Sequence, residues 1–175
     1  MNHAEQMNQL FQAAQAGDAV TIAAMLASQP ELTNTENQDG LTPLGYASHY
    51  GQTGVVRVLL EHGANVNALS HSKISFIPSN TALHAALAGE RSSEVIRLLL
   101  QHGASSSILD SDGQYALHSA AFHTDQTELI EMLIQHGADP HALNSVGQTP
   151  LDIALERGNT STASCLRAAV AAQQQ

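Results

Sequence analysis

The string EHGANVNAL at 61–69 returns as QHGASSSIL at 101–109 and again as QHGADPHAL at 135–143. A second string, LTPLGYAS at 41–48, returns as NTALHAAL at 80–87, QYALHSAA at 114–121 and QTPLDIAL at 148–155. Gly63, Gly103 and Gly137 are spaced 40 and 34 residues apart; Thr42, Thr81, Tyr115 and Thr149 are spaced 39, 34 and 34. A unit of about 33 residues, one copy of it enlarged, excludes a fold built around one central core. Each unit is too small to hide its own apolar surface and must stack on the next.

Each unit reads as two helices and a turn. Thr42-Pro43 and Thr149-Pro150 offer a hydroxyl N-cap followed by proline at the first helical position, where a missing N–H costs nothing. The short first helix carries Leu44 and Ala47, Leu83 and Ala86, or Leu117, Ala120 and Ala121. Its small alanines let neighbouring helices approach. The second helix is a dense apolar run: Val55, Val56, Val58, Leu59 and Leu60 in one copy, Val95, Ile96, Leu98, Leu99 and Leu100 in the next, then Leu129, Ile130, Met132, Leu133 and Ile134. Gly63, Gly103 and Gly137 follow, where a left-handed residue closes a helix.

TPLGYAS, TALHAA, YALHSAA and TPLDIA, each ahead of an apolar helix and three of them ahead of HGA, resemble ankyrin repeats. The resemblance covers roughly residues 6–168. It implies an all-α solenoid of helix–turn–helix pairs with projecting β-hairpin fingers. The expected divisions of this single domain are an N-terminal capping repeat at 6–38, repeats at 39–69, 80–111 and 112–144, an enlarged finger at 70–79, a C-terminal capping repeat at 145–168 and a helical tail at 169–175. Polar residues on the outer faces of the first and last units (Gln6 and Gln9, Thr160 and Thr162) fit caps, which meet water on one side. The opening methionine and the two caps lead to the expectation of a complete chain.

Composition narrows the function. Sixteen Asp+Glu against six Lys+Arg give a net charge of -10. Nucleic acid and anionic membrane both ask for a basic face, so neither is an expected partner. A lone Cys165 forms no intramolecular disulfide and fits a reducing, cytoplasmic setting. The N-terminal MNHAEQMNQLF lacks the basic-then-apolar pattern of a signal peptide. No HExxH, GxSxG, GxxxxGK[ST] or CxxC motif is present, so a catalytic role is not expected.

Ten histidines raise the question of metal. His62, His102 and His136 share one repeat position, and His84 and His118 share another. Equivalent positions on packed helices lie about 8–10 Å apart, far beyond the ~2 Å bonds that zinc requires. No metal or cofactor is expected.

The resemblance implies that the ends of the first helices and the finger tips carry partner contacts. The helix ends are Gln15-Ala16, His49-Tyr50, Ala88-Gly89, Phe122-His123 and Glu156-Arg157. The tips are Gln38, Asp39 and Leu41, then Ser111, Asp112 and Gln114, then Ser145, Val146 and Gln148. With six aromatics in the chain, Tyr50 and Phe122 stand out, because aromatics are enriched among interface hot spots. In the enlarged finger, Ile74, Phe76, Ile77 and Pro78 either fold back onto the repeats or form a contact lip. The expectation is a non-catalytic module binding another protein through Gln38, Asp39, Leu41, His49, Tyr50, Phe76, Ile77, Ser111, Asp112, Gln114, Phe122, His123, Val146, Gln148 and Arg157. Asp39, Asp110 and Asp112 suggest a partner with a basic patch. A monomer is expected, with a homodimer through the 69–80 finger as the alternative. A small-ligand site would need a deep pocket walled by that finger, His49, His71 and Tyr50.

Overall fold

A computed structural model describes residues 2–90 and 92–173. Among them are ten α-helices, one 3-10 turn at Pro30–Asn34 and no strand. The helices come in five pairs, the first member shorter than the second in all but the opening one: α1 (His3–Ala16) and α2 (Ala19–Ser28), α3 (Pro43–His49) and α4 (Thr53–Glu61), α5 (Ala82–Ala88) and α6 (Ser93–Gln101), α7 (Ala116–His123) and α8 (Thr127–Gln135), α9 (Pro150–Arg157) and α10 (Thr160–Ala172). The fold class is therefore the all-α helix-pair repeat expected from the sequence. α10 runs from Thr160 to Ala172, across position 168 into the segment read as a helical tail.

The chain divides into two compact units, Met1–Ala104 and Ser105–Gln175. In the first, α1, α3 and α5 stack side by side, as do α2, α4 and α6. Alanine makes that approach possible: Ala47, Ala82 and Ala86 are buried. Val55, Val56 and Leu59 of α4 and Val95, Ile96 and Leu99 of α6 are fully buried. Each such side chain contributes about 1.5–3 kcal/mol relative to exposure. In the second unit α7 packs on α9 and α8 on α10, around Leu117, Ala120, Ala121, Leu129, Ile130 and Leu133.

The caps follow the residue chemistry. Thr42 Oγ1 accepts from the N–H of Gly45 at 3.1 Å. Thr149 and Asp152 form a reciprocal capping box. Thr81 instead spends its hydroxyl on His84 Nδ1, 2.9 Å away. At the other end of the pairs, the Nδ1–H groups of His62, His102 and His136 donate to the carbonyls of Val58, Leu98 and Met132 at 2.8, 2.9 and 2.8 Å. These recurring histidines are helix C-caps.

The fingers differ from the expected hairpins: each is a turn closed by the side chain of its first residue. Asn37 N–H donates to the carbonyl of Leu41 and Gly40 N–H to that of Asn37, both at 3.0 Å. Asn37 Oδ1 accepts from the N–H groups of Asp39 and Leu41 at 3.0 and 2.9 Å. The pattern repeats with Asp110 Oδ1 receiving Asp112 and Gln114, and with Asn144 Oδ1 receiving Val146 and Gln148. The side chain satisfies amides that a strand ladder would otherwise take. Gly40, Gly113 and Gly147 sit in these turns at φ 75°, 73° and 81°, where a side chain is strained.

The enlarged finger keeps the same stem. Ser70 N–H donates to the carbonyl of Asn80 at 2.9 Å, and Asn80 N–H to Ser70 Oγ at 3.0 Å. Ser70 stands where Asn37 does, and Asn80 where Leu41 does. Ten positions separate the pair instead of four, so six residues have been added beyond an unchanged base.

Candidate functional site

In the first unit the finger 37–41 and the enlarged finger are tied together. His71 and Lys73 N–H groups donate to the carbonyls of Gly40 and Asp39, each at 2.9 Å. Lys73 Nζ reaches the carbonyl of Gln38 at 3.0 Å. Glu36 Oε1 takes both the backbone N–H of His71 at 3.0 Å and its Nδ1 at 2.8 Å. The added residues divide between the two sequence expectations. Ile74, Ile77 and Pro78 are half-buried, whereas Phe76 is 83% exposed on this anchored loop.

The first unit also carries a row of rings. Phe11, Tyr46, Tyr50 and His49 follow one another with centroid separations of 5.0, 5.0 and 5.1 Å. Tyr50 is half-buried and His49 exposed. Tyr46 was not among the residues expected at the site. It is half-buried, donates its hydroxyl to Gln15 Oε1 at 3.2 Å, and bridges Phe11 to Tyr50. Burial, and then its hydrogen bond with Tyr50, pushes the Tyr46 hydroxyl above the usual tyrosine value. The backbone of His49 is also engaged: its carbonyl accepts from Glu90 N–H at 2.9 Å. Gln38 and Asp39 are exposed and Leu41 half-buried at the adjoining tip.

In the second unit Phe122 is 44% exposed and is capped by Arg157, whose guanidinium carbon lies 4.2 Å from the ring centroid. His123 meets Phe122 edge-on at 4.9 Å. Ser111, Asp112 and Val146 are exposed at their finger tips. Gln114 and Gln148 also bond within the scaffold. Gln114 Oε1 accepts from Asn144 Nδ2 at 3.2 Å, and Gln148 Nε2 donates to Glu156 at 2.7 Å while its carbonyl holds His118 Nε2 at 3.0 Å. Asp110 likewise closes its turn, which leaves Asp112 as the exposed carboxylate of that tip.

Three leucines were missed. Leu69, Leu109 and Leu143 are exposed, to 42%, 40% and 60%. They occupy one repeat position, the last letter of the strings aligned above. The signal was there: an apolar residue recurring just ahead of a polar turn, where nothing remains to bury it.

A cavity of about 610 Å³ opens between α8 and α10, lined by Glu131, Ile134, Ser164, Cys165 and Ala168 among others. It is remote in sequence from the expected small-ligand wall of the enlarged finger, His49, His71 and Tyr50. Burial, and then the Glu131 carboxylate, raises the Cys165 thiol above its usual value, which disfavours a reactive thiolate. No three His, Cys, Asp or Glu side chains converge among the described residues. No helix among them is long and apolar enough to cross a membrane.

The ankyrin repeat profile matches this chain in three overlapping copies, at residues 1–70, 68–144 and 105–173. The chain belongs to the ankyrin repeat family. Ankyrin repeats are in general protein–protein interaction modules. Similar proteins include the Arabidopsis thaliana serine/threonine-protein kinase VIK, 39% identical over 89 residues, which are 51% of this chain and 19% of the kinase. An ankyrin repeat protein of Rickettsia bellii is 39% identical over 74 residues, 42% of this chain and 28% of its own. The human BCL-6 corepressor-like protein 1 is 32% identical over 107 residues, 61% of this chain and 6% of its own. The chain thus spans less than a third of the length of each of these relatives.

Proposed function

We propose that this ankyrin repeat protein is a non-catalytic binding module that docks a partner protein on its finger tips and first-helix ends. In the first unit the contacts are Gln38, Asp39, Leu41, His49, Tyr50, Phe76 and Ile77. In the second they are Ser111, Asp112, Gln114, Phe122, His123, Val146, Gln148 and Arg157. Asp39 and Asp112 favour a partner with a basic patch, and the single cysteine favours a cytoplasmic setting. One observation carries the reading. The tips are held rigid by hydrogen bonds to the first residue of each turn, yet Asp39, Asp112 and Val146 point their side chains to solvent. A surface ordered before contact loses little entropy on binding.

The test is affinity capture with the wild type and a Tyr50→Ala, Asp112→Ala, Phe122→Ala variant whose helicity matches it. A stoichiometric protein held by the wild type and lost by the variant supports the surface. Equal capture by both overturns it. The 83% exposure of Phe76 favours self-association as a second reading. That reading expects a concentration-dependent mass in sedimentation that Phe76→Ser abolishes, and a constant monomer mass ends it.

A further inference from the structure

The second unit carries an apolar row on its fingers. Leu109 and Leu143 stand at the bases of consecutive turns and are 40% and 60% exposed; Val146, at the tip of the later turn, is 72% exposed. The two turns are neighbours, joined by the Ser145 N–H to Gly113 carbonyl bond at 3.0 Å and by Ser145 Oγ to the Asp112 carbonyl at 3.2 Å. The charge around the row has one sign. From Ser105 to Glu156 there is no lysine or arginine, while Asp110 and Asp112 lie in the first of these turns and Asp139 is exposed four residues ahead of Leu143. The first cation, Arg157, is set over Phe122.

Repeat pitch decides the shape of what fits. α7 and α9 are packed neighbours, and packed helices lie about 8–10 Å apart, so equivalent leucines recur at about that stride. A helix rises 1.5 Å per residue and returns to the same face at i+7, about 10.5 Å on. An extended strand presents same-face residues at about 6.6–6.8 Å and next at about 13 Å, which misses the stride on both sides.

We infer that the fingers of the second unit dock a basic amphipathic helix of the partner, its apolar stripe on Leu109, Leu143 and Val146 and its lysines or arginines beside Asp112 and Asp139. The inference rests on the interaction-module reading and names the partner's chemistry. Apolar contact supplies affinity, and the acidic rim supplies orientation and a salt-sensitive association rate.

The probe is an 18-residue leucine–lysine peptide with all leucines on one helical face, titrated calorimetrically into the full chain at pH 8. Two controls accompany it: a scramble of equal charge, and the leucine–glutamate counterpart. Saturable one-to-one binding is expected, at least tenfold weaker for the scramble and lost for the glutamate peptide. Leu109→Ser with Leu143→Ser should weaken it at least tenfold. Asp112→Asn with Asp139→Asn should flatten its salt dependence, and the amide oxygen of the latter can still take the His141 N–H that Asp139 now accepts at 2.8 Å. Val20→Ser, at an 82% exposed site of the first unit, should change nothing. Equal affinity for peptide and scramble, or full affinity in the double-serine variant, overturns the inference. A phage-displayed peptide library selected on the same protein separates the two levels. Peptides that need Leu109 and Leu143 but are neither basic nor amphipathic overturn the helix while the module reading stands. A library yielding nothing that depends on any finger or helix-end residue counts against both.

Discussion

The guanidinium of Arg157 covers the ring of Phe122, its central carbon 4.2 Å from the centroid. The two residues come from the ends of α9 and α7, so the pair ties neighbouring first helices at the surface. A double-mutant cycle of Arg157→Ala and Phe122→Leu, read by urea unfolding, should give a coupling of about 0.5–1 kcal/mol, the range of exposed cation–π pairs.

Two glycines separate strain from collision. Gly63 has φ 83° and open space where a Cβ would stand, whereas Gly40 has φ 75° and a Cβ there would collide with the carbonyl of His71. Gly63→Ala should cost about 1–2 kcal/mol from left-handed strain alone. Gly40→Ala should add about 1–3 kcal/mol for overpacking. Urea midpoints at unchanged m-value would check the order.

Asn144 is buried and its Oδ1 receives two amides, those of Val146 and Gln148, at 3.1 and 2.8 Å. Asn144→Ala should cost about 1–3 kcal/mol, as expected when donors lose their acceptor. Hydrogen exchange at those two amides should accelerate. Asn144→Asp, which keeps the oxygen, should leave their protection largely intact.

His118 is fully buried, and burial lowers its pKa from 6.5. The folded state therefore resists a proton that the unfolded state accepts. Stability is whole above pH 6.5 and falls as the pH drops below it, until the folded-state value is passed. His118→Gln should flatten that limb of a stability–pH curve. A second limb, below pH 3.8, should persist in the variant, because hydrogen bonds from Thr149 lower the pKa of Asp152 and its protonation abolishes that advantage.

Phe76 contributes little to the fold at 83% exposure. Phe76→Ser should shift unfolding by less than about 0.5 kcal/mol. A larger shift would mean that the ring packs on the protein in solution.

The helix pairs were legible because their signals are local. Thr-Pro caps, the apolar runs of α4, α6 and α8 and the closing glycines each act within a few residues. Surface roles were less legible, because they depend on which side chains the scaffold consumes. Gln114 and Gln148 read as contacts by position, and that reading could not foresee that their side chains also bond Asn144 and Glu156. Tyr46 was given no role by its position in the repeat, yet it bridges Phe11 and Tyr50 in the ring row. The enlarged finger announced its length in the spacing. Its split into half-buried Ile77 and exposed Phe76 follows from anchoring bonds to Gln38, Asp39 and Gly40 that no local pattern encodes.

Asn37, Asp110 and Asn144 each hold two amides of their own turn. At Asp39, Asp112 and Val146 the turn asks only for a main-chain N–H, which every residue but proline supplies. The letters that keep the turn are thus different from the letters a visitor would read. Such a tip can be retargeted one substitution at a time, and each intermediate along that route would still fold.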